Sequence, residues 1–174
     1  MIPVSSLIRN FKELRFDLLQ RLPTHVKIQL FSNHHHQVRT STEMTIPTQR
    51  HKTSNPYEDK FGYSRAVRKG PFIFVSGTTS ICTTTGKVLH PKSAYDQTLV
   101  IFTEIVLAIE ALGATKADIV RLRMFVKEEK DGEGVSRALK EVFGSVAPAA
   151  TMLFGLGFVN HDMKVEIEAD AVVL

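Results

Sequence analysis

From Val165 to Asp170 apolar and acidic residues alternate without exception: Val165, Ile167 and Ala169 against Glu166, Glu168 and Asp170. A two-residue period is the signature of a β-strand with one face turned to a core. The other face carries three carboxylates. A sheet with one apolar face and one mixed, charged face points to a second subunit covering the charged side.

The same pattern continues upstream. A strand opening at Asp118 sets Val120, Leu122, Met124 and Val126 against Arg121, Arg123 and Phe125. Phe72-Ile73-Phe74-Val75 is a buried strand run, preceded by the turn Lys69-Gly70-Pro71 and followed by Ser76-Gly77, which predicts a hairpin between 63–68 and 72–78. Thr83 to Lys87 reads as a turn. The clearest helix covers 93–112: Leu99, Phe102, Val106 and Ile109 form its stripe, Ser93 its N-cap, Asp96 a favourable first-turn charge, and Gly113 its stop. After a glycine- and charge-rich break, a second helix is expected over 134–143, with Val135, Leu139, Val142 and Phe143 inward. Strands at 149–157 and 164–173 close an order of β-β-α-β-α-β-β, an α+β domain from 55 to 174.

Residues 1–54 differ in character. A stripe of Leu7, Phe11, Leu14, Leu18 and Leu22 predicts an amphipathic helix over 5–22, ended by Pro23, and the polar stretch after it is expected to be disordered. The net charge of +4 resides here. Residues 1–53 hold eight Lys and Arg against Glu13, Asp17 and Glu43, leaving 14 basic and 15 acidic residues beyond. That balance gives the domain no basic excess for a phosphate backbone, so nucleic-acid binding and RNA cleavage are set aside. No apolar run approaches the ~20 residues of a membrane span. Cys82 is the only cysteine, so an intrachain disulfide is ruled out; it reads as an inert buried thiol in a cytoplasmic protein. Were the basic extension a targeting peptide, the compartment would be mitochondrial, though Glu13 and Asp17 count against that. The run His34-His35-His36 lacks the spaced partners of a metal site.

The punctuating residues, FGYSRAV at 61–67, FVSGTTS at 74–80, PAAT at 148–151 and KVEIEADAVV at 164–173, resemble the RidA/YjgF/L-PSP family over about 120 residues. The resemblance implies a chorismate-mutase-like fold, one mixed sheet with two helices packed on one face, assembled as a homotrimer. It also implies small-molecule sites between subunits, with no cofactor and no metal. The family's best-known activity is hydrolysis of reactive 2-imino acids, or their enamine tautomers, to keto acids and ammonia. Such chemistry needs a cation for the substrate carboxylate, a held water, and an acid for the departing amine.

By that resemblance Glu166 and Tyr63 are the catalytic candidates, and Ser76 and Gly77, with Thr78 beside them, line the cleft. Ser136 stands where the family usually has asparagine, and Met152 where a cysteine is common. The family's carboxylate-gripping arginine falls at Ala150, and the wording around it looks like a subgroup that lacks this arginine. Arg123 could supply the missing cation; its rival role is an ion pair with Glu166 or Glu168. Two functions stay open: an imine/enamine deaminase acting on substrates with no carboxylate to clamp, and a non-catalytic trimeric module binding a small metabolite or a partner protein.

Overall fold

The computed structural model describes residues 46–174. The expected helix at 5–22, the expected disorder before Ile46 and the histidine run lie outside the described residues. The elements are β1 (Thr48–His51), α1 (Pro56–Phe61), β2 (Ala66–Lys69), β3 (Phe72–Thr78), α2 (Ala94–Glu110), β4 (Ile119–Val126), α3 (Gly132–Phe143), β5 (Ala149–Phe154) and β6 (Val165–Val172). One six-stranded sheet runs β1-β2-β3-β6-β4-β5, with β4 and β5 parallel and every other neighbour antiparallel. Helices α2 and α3 pack on it, so the predicted β-β-α-β-α-β-β order is present, preceded by a strand and a short helix.

The strand β1 was expected to be disordered. Its Thr-Gln-Arg-His sequence has no apolar alternation, because an edge strand is held by backbone bonds rather than by burying side chains. It pairs with β2 from Thr48↔Lys69 to His51↔Ala66, and Lys69 donates to the Ile46 carbonyl. The helix α1 is short but well marked: Asn55 caps it by accepting from Tyr57 N–H at 3.1 Å, Pro56 opens it, and Gly62 ends it at φ 74°.

The core lies between the sheet and the two long helices. Ile73 and Val75 of β3, Leu122, Met124 and Val126 of β4, and Val165, Ile167, Ala169 and Ala171 of β6 all point into it. Ser93 caps α2 as expected, accepting from Asp96 N–H at 3.2 Å. The buried stripe of α2 is rotated from the predicted one. Ile101, Ile105 and Ala108 join Phe102 and Ile109 inside, while Leu99 and Val106 sit at its margins. The helix meets two surfaces at once, the sheet and α3, so a wider stripe is buried than one sheet contact requires. Phe102 and Phe143 join α2 to α3 edge-to-face, with centroids 4.9 Å apart. No basic residue stands in the last turn of α2; Arg68 of β2 serves there, donating to the Leu112 carbonyl at 2.7 Å.

Val120 departs from its predicted place in the core and is 46% exposed. The pairing of β4 with β6 slips between Ile119 and Arg121, so Ile119 takes the inward position and the alternation resumes at Leu122. The reverse face carries Glu166, Glu168 and Asp170 beside Phe125, Arg123 and Arg121. Phe72 and Phe74 stand half-exposed on the same face.

Because β1 shields the edge of β2, a chain beginning at Asn55 should melt below one beginning at Met44. It loses the ladder of β1 and the Thr53 contacts to Glu58. Paired thermal melts check this; equal midpoints would show that β1 adds nothing to stability.

Candidate functional site

The site begins with an irregularity in β3. Val75 pairs with Ala169 and Thr78 with Ile167, so β3 carries one residue more than β6 across that interval. The extra residue is accommodated at Ser76-Gly77, and both line a cavity of about 480 Å³. Ser76 is fixed there: its N–H donates to the Arg65 carbonyl at 3.0 Å and its hydroxyl to the Ser64 carbonyl at 2.8 Å.

Five further elements contribute to the wall. Tyr57 and Phe61 come from α1, their rings parallel with centroids 5.9 Å apart, and Tyr63 and Arg65 follow from the segment leading into β2. The loop after β3 gives Thr79 and Ile81. The loop before β6 gives Val159, Asn160 and Met163, and β6 itself contributes Glu166. The Glu166 carboxylate lies directly over the α-carbon of Gly77; a β-carbon there would overlap Oε1 and stand 3.0 Å from Cδ. Burial, then the neighbouring Glu168 charge, push the Glu166 carboxyl above the usual carboxylate range, while Arg65 pulls it down.

Arg65 escaped the sequence reading. It is 5% exposed, and its Nε donates to Oε1 of Glu58, itself 1% exposed, at 3.2 Å. Its Nη1 donates to the Gly77 carbonyl at 2.9 Å and to the Thr78 hydroxyl at 3.0 Å, and Nη2 donates to the Tyr63 hydroxyl at 3.3 Å. Glu58 also accepts from the Thr53 N–H and hydroxyl, both at 2.8 Å. The only signal in the sequence was a glutamate in the first turn of a helix announced by Asn55-Pro56, seven residues before an arginine. That spacing carries no period that would pair them.

The structure thus brings together Tyr63, Ser76, Gly77 and Glu166 of the predicted residues. The others lie elsewhere. Thr78 is buried beneath the bulge and faces a separate recess with Thr53, Thr83 and Glu104. Arg123 is not in the cavity wall: it pairs with Glu168 at 2.9 Å and grips Asp170 at 2.9 and 3.3 Å, so within the chain its guanidinium is already engaged. Ala150 pairs in register with Leu122 and Met152 with Met124, which places both on the helix face of edge strand β5, opposite to the Glu166 face. Ser136 is exposed on α3. Cys82, expected to be buried, is half-exposed in the 82–86 turn, where hydrogen bonds from Thr85 lower its pKa from the ordinary value. Among the described residues no group of His, Cys, Asp and Glu is arranged to hold a metal, and no helix is long and apolar enough to cross a membrane.

Comparison with known proteins decides the lineage. The family model described as Endoribonuclease L-PSP matches residues 54–173. The chain belongs to this family. An uncharacterised protein of Streptomyces coelicolor is 35% identical over 121 residues, covering 69% of this chain and 88% of its own. A 2-iminobutanoate/2-iminopropanoate deaminase of Dermatophagoides farinae is 28% identical, covering 64% and 85%. The crystal structure of a YjgF/YER057c/UK114 family member from Mycobacterium tuberculosis is 31% identical with a TM-score of 0.66, covering 73% of this chain and all of that one. That of Escherichia coli TdcF with bound serine is 26% identical with a TM-score of 0.59, covering 74% and 98%. The two solved structures share the overall fold of residues 46–174.

Gly77→Ala should displace the Glu166 carboxylate at little cost to the fold, because the obstructing atoms are the free end of a side chain. Carboxyl-carbon NMR titration is expected to show the Glu166 pKa falling back towards 4.5 in the variant. An unchanged titration would mean that Gly77 does not set the environment of this acid.

Proposed function

We propose that this L-PSP-family protein is a homotrimer of the subgroup without the carboxylate-gripping arginine. In this reading it binds small reactive imines or enamines in clefts between subunits and hydrolyses them to carbonyl compounds and ammonia. The observation that carries the reading is Glu166: a carboxyl held above its ordinary pKa, facing a cavity of about 480 Å³ beside the Ser76-Gly77 bulge and Tyr63. The naming of a relative as a 2-iminobutanoate/2-iminopropanoate deaminase supports the reaction class.

The chemistry needs a proton donor that is also a competent base once ionised. Protonated Glu166 gives its proton to the imine nitrogen, which makes the carbon electrophilic. A water held beside Ser76 and Tyr63 adds to that carbon, and its proton passes to the Glu166 carboxylate. Returned to nitrogen, that proton lets the C–N bond of the carbinolamine break as the hydroxyl proton passes back to the Glu166 carboxylate and the C=O bond forms. In balance, each imine consumes one water and yields one carbonyl compound and one ammonia, with the oxygen coming from the water and Glu166 regenerated.

Two features support assembly. Phe72, Phe74 and Leu153 are each about half exposed, more apolar area than an isolated sheet would leave in water. Family-matched positions also fall in two groups, one at the cavity and one on β5 and α3. A neighbouring subunit laying its β5 edge over the cavity would unite them. Light scattering should give about three times the 19.5 kDa of one chain. A monomer mass at micromolar concentration would overturn the trimer.

Glu166→Gln should lower ammonia release from freshly generated imines by about 100-fold or more, the usual weight of a general acid. The sign of the accompanying stability change is fixed by the raised pKa. A carboxyl whose folded pKa lies above its unfolded one gives stability that is full below the unfolded pKa and lost as pH rises through the folded pKa. The variant, lacking that ionisation, should therefore melt at or above wild type at neutral pH, the gain developing as pH rises from about 4.5. Wild-type activity should decline as pH rises through the same group. Full activity in Glu166→Gln would remove it from the mechanism.

A further inference from the structure

We propose that the buried Glu58–Arg65 pair sets the charge specificity of the cavity, which thereby admits uncharged or cationic imines and amines with a flat apolar body and rejects those carrying a carboxylate. This deepens the reading of the cavity as an imine site and rests on it. Among the described residues Arg65 is the only Lys or Arg in the cavity wall, so any grip on a ligand carboxylate from within the chain falls to it.

It is not free to act. A guanidinium has five N–H donors, and four are committed here: one to Glu58, one each to the Gly77 carbonyl and Thr78 hydroxyl, and one to Tyr63. A fork on a carboxylate needs two adjacent donors, and a single Nη2 hydrogen remains. Its charge is also largely answered: Arg65 still pulls on Glu166, but less than burial and Glu168 push that carboxyl up. Glu58 is a carboxylate with one hundredth of its surface exposed, seated 3.2 Å from Nε and held by both donors of Thr53. An entering carboxylate would be desolvated next to Glu166, with Glu168 near by and no cation at liberty. An ammonium or iminium would meet the Glu166 carboxyl, and a neutral group would cost neither. The parallel rings of Tyr57 and Phe61, with Met163, make the remaining wall flat and apolar.

A purely structural pair would tie α1 to the sheet equally well, but it would leave ligand charge selectivity untouched. That selectivity is the readout. Calorimetric titration of the full-length wild-type protein with benzylamine, benzamide and benzoate compares one ring under three charges. Benzylamine and benzamide should bind at least about tenfold more tightly than benzoate, since only benzoate is left without a partner for its charge. Benzoate binding as tightly as benzamide would overturn the proposal. Glu58→Gln removes the counter-charge, and benzoate should then gain about tenfold relative to benzamide, the charge on Arg65 being no longer cancelled. The double variant Glu58→Gln with Arg65→Gln should restore the wild-type order; an unchanged ratio in a folded Glu58→Gln protein would overturn the role of the pair. Were Glu58→Gln not to fold, the wild-type series alone decides. The probes do not turn over, so the two readings fail separately. No ammonia from any imine would overturn the deaminase reading alone, and a benzoate preference would overturn this one alone.

Discussion

The contact on which the site depends is the buried ion pair between Arg65 and Glu58. A guanidinium at 5% exposure is tolerable only with its charge answered and its donors filled, and two of the partners that fill them, Gly77 and Tyr63, stand in the cavity wall. Through Glu58 it holds α1; through Gly77 and Thr78 it fixes the bulge in β3; through Tyr63 it sets the hydroxyl at the rim. Removing either partner leaves a buried charge without its counter-ion, with a cost on the order of 3–5 kcal/mol.

A second ionic group sits across the sheet. Arg123 bridges Glu168 and Asp170 on β6, answering two of the three carboxylates that the alternation of β6 puts on one face. The third, Glu166, has no cation of that kind. It faces the cavity instead, over a residue with no side chain to push it away. Neighbouring carboxyls on one strand thus sit in different surroundings: two pair with an arginine, while burial and the nearby Glu168 raise the pKa of the third.

The two ion clusters also bear on the arginine that the family resemblance led us to expect at Ala150. Arg123 shares a face with Glu166, yet its fork is occupied by Asp170; Ala150 lies on the opposite face of the sheet, at the β5 edge. Neither supplies a cation to the cavity of its own chain. The family description names an endoribonuclease, but the near-neutral balance of residues 54–174 and a cavity whose one guanidinium among the described residues is paired with Glu58 give little purchase to a polyanion. Deaminase-type chemistry on small molecules accords better with a single perturbed carboxyl in an apolar recess.

Periodicity determined the strands β4 and β6 and both long helices, since a half-buried element writes its period into its side chains; β3 was read as a buried apolar run between turns, and its Phe72 and Phe74 are half-exposed. Ser93, Gly113 and the turn at 83–87 were legible for the same reason, each position demanding its residue type. Four of the cavity residues, Tyr63, Ser76, Gly77 and Glu166, came from matching motifs rather than from period. Only the tertiary structure revealed β1, whose edge pairing uses backbone alone, and the slip at Val120, where one residue of bulge exchanges inside for outside. Only it could show that Arg65 and Glu58 are a pair, that Arg123 is already engaged, and that Ala150 lies on the far side of the sheet. Charge pairing and strand faces across separate elements are relations of distance in space, and a sequence records distance only along the chain.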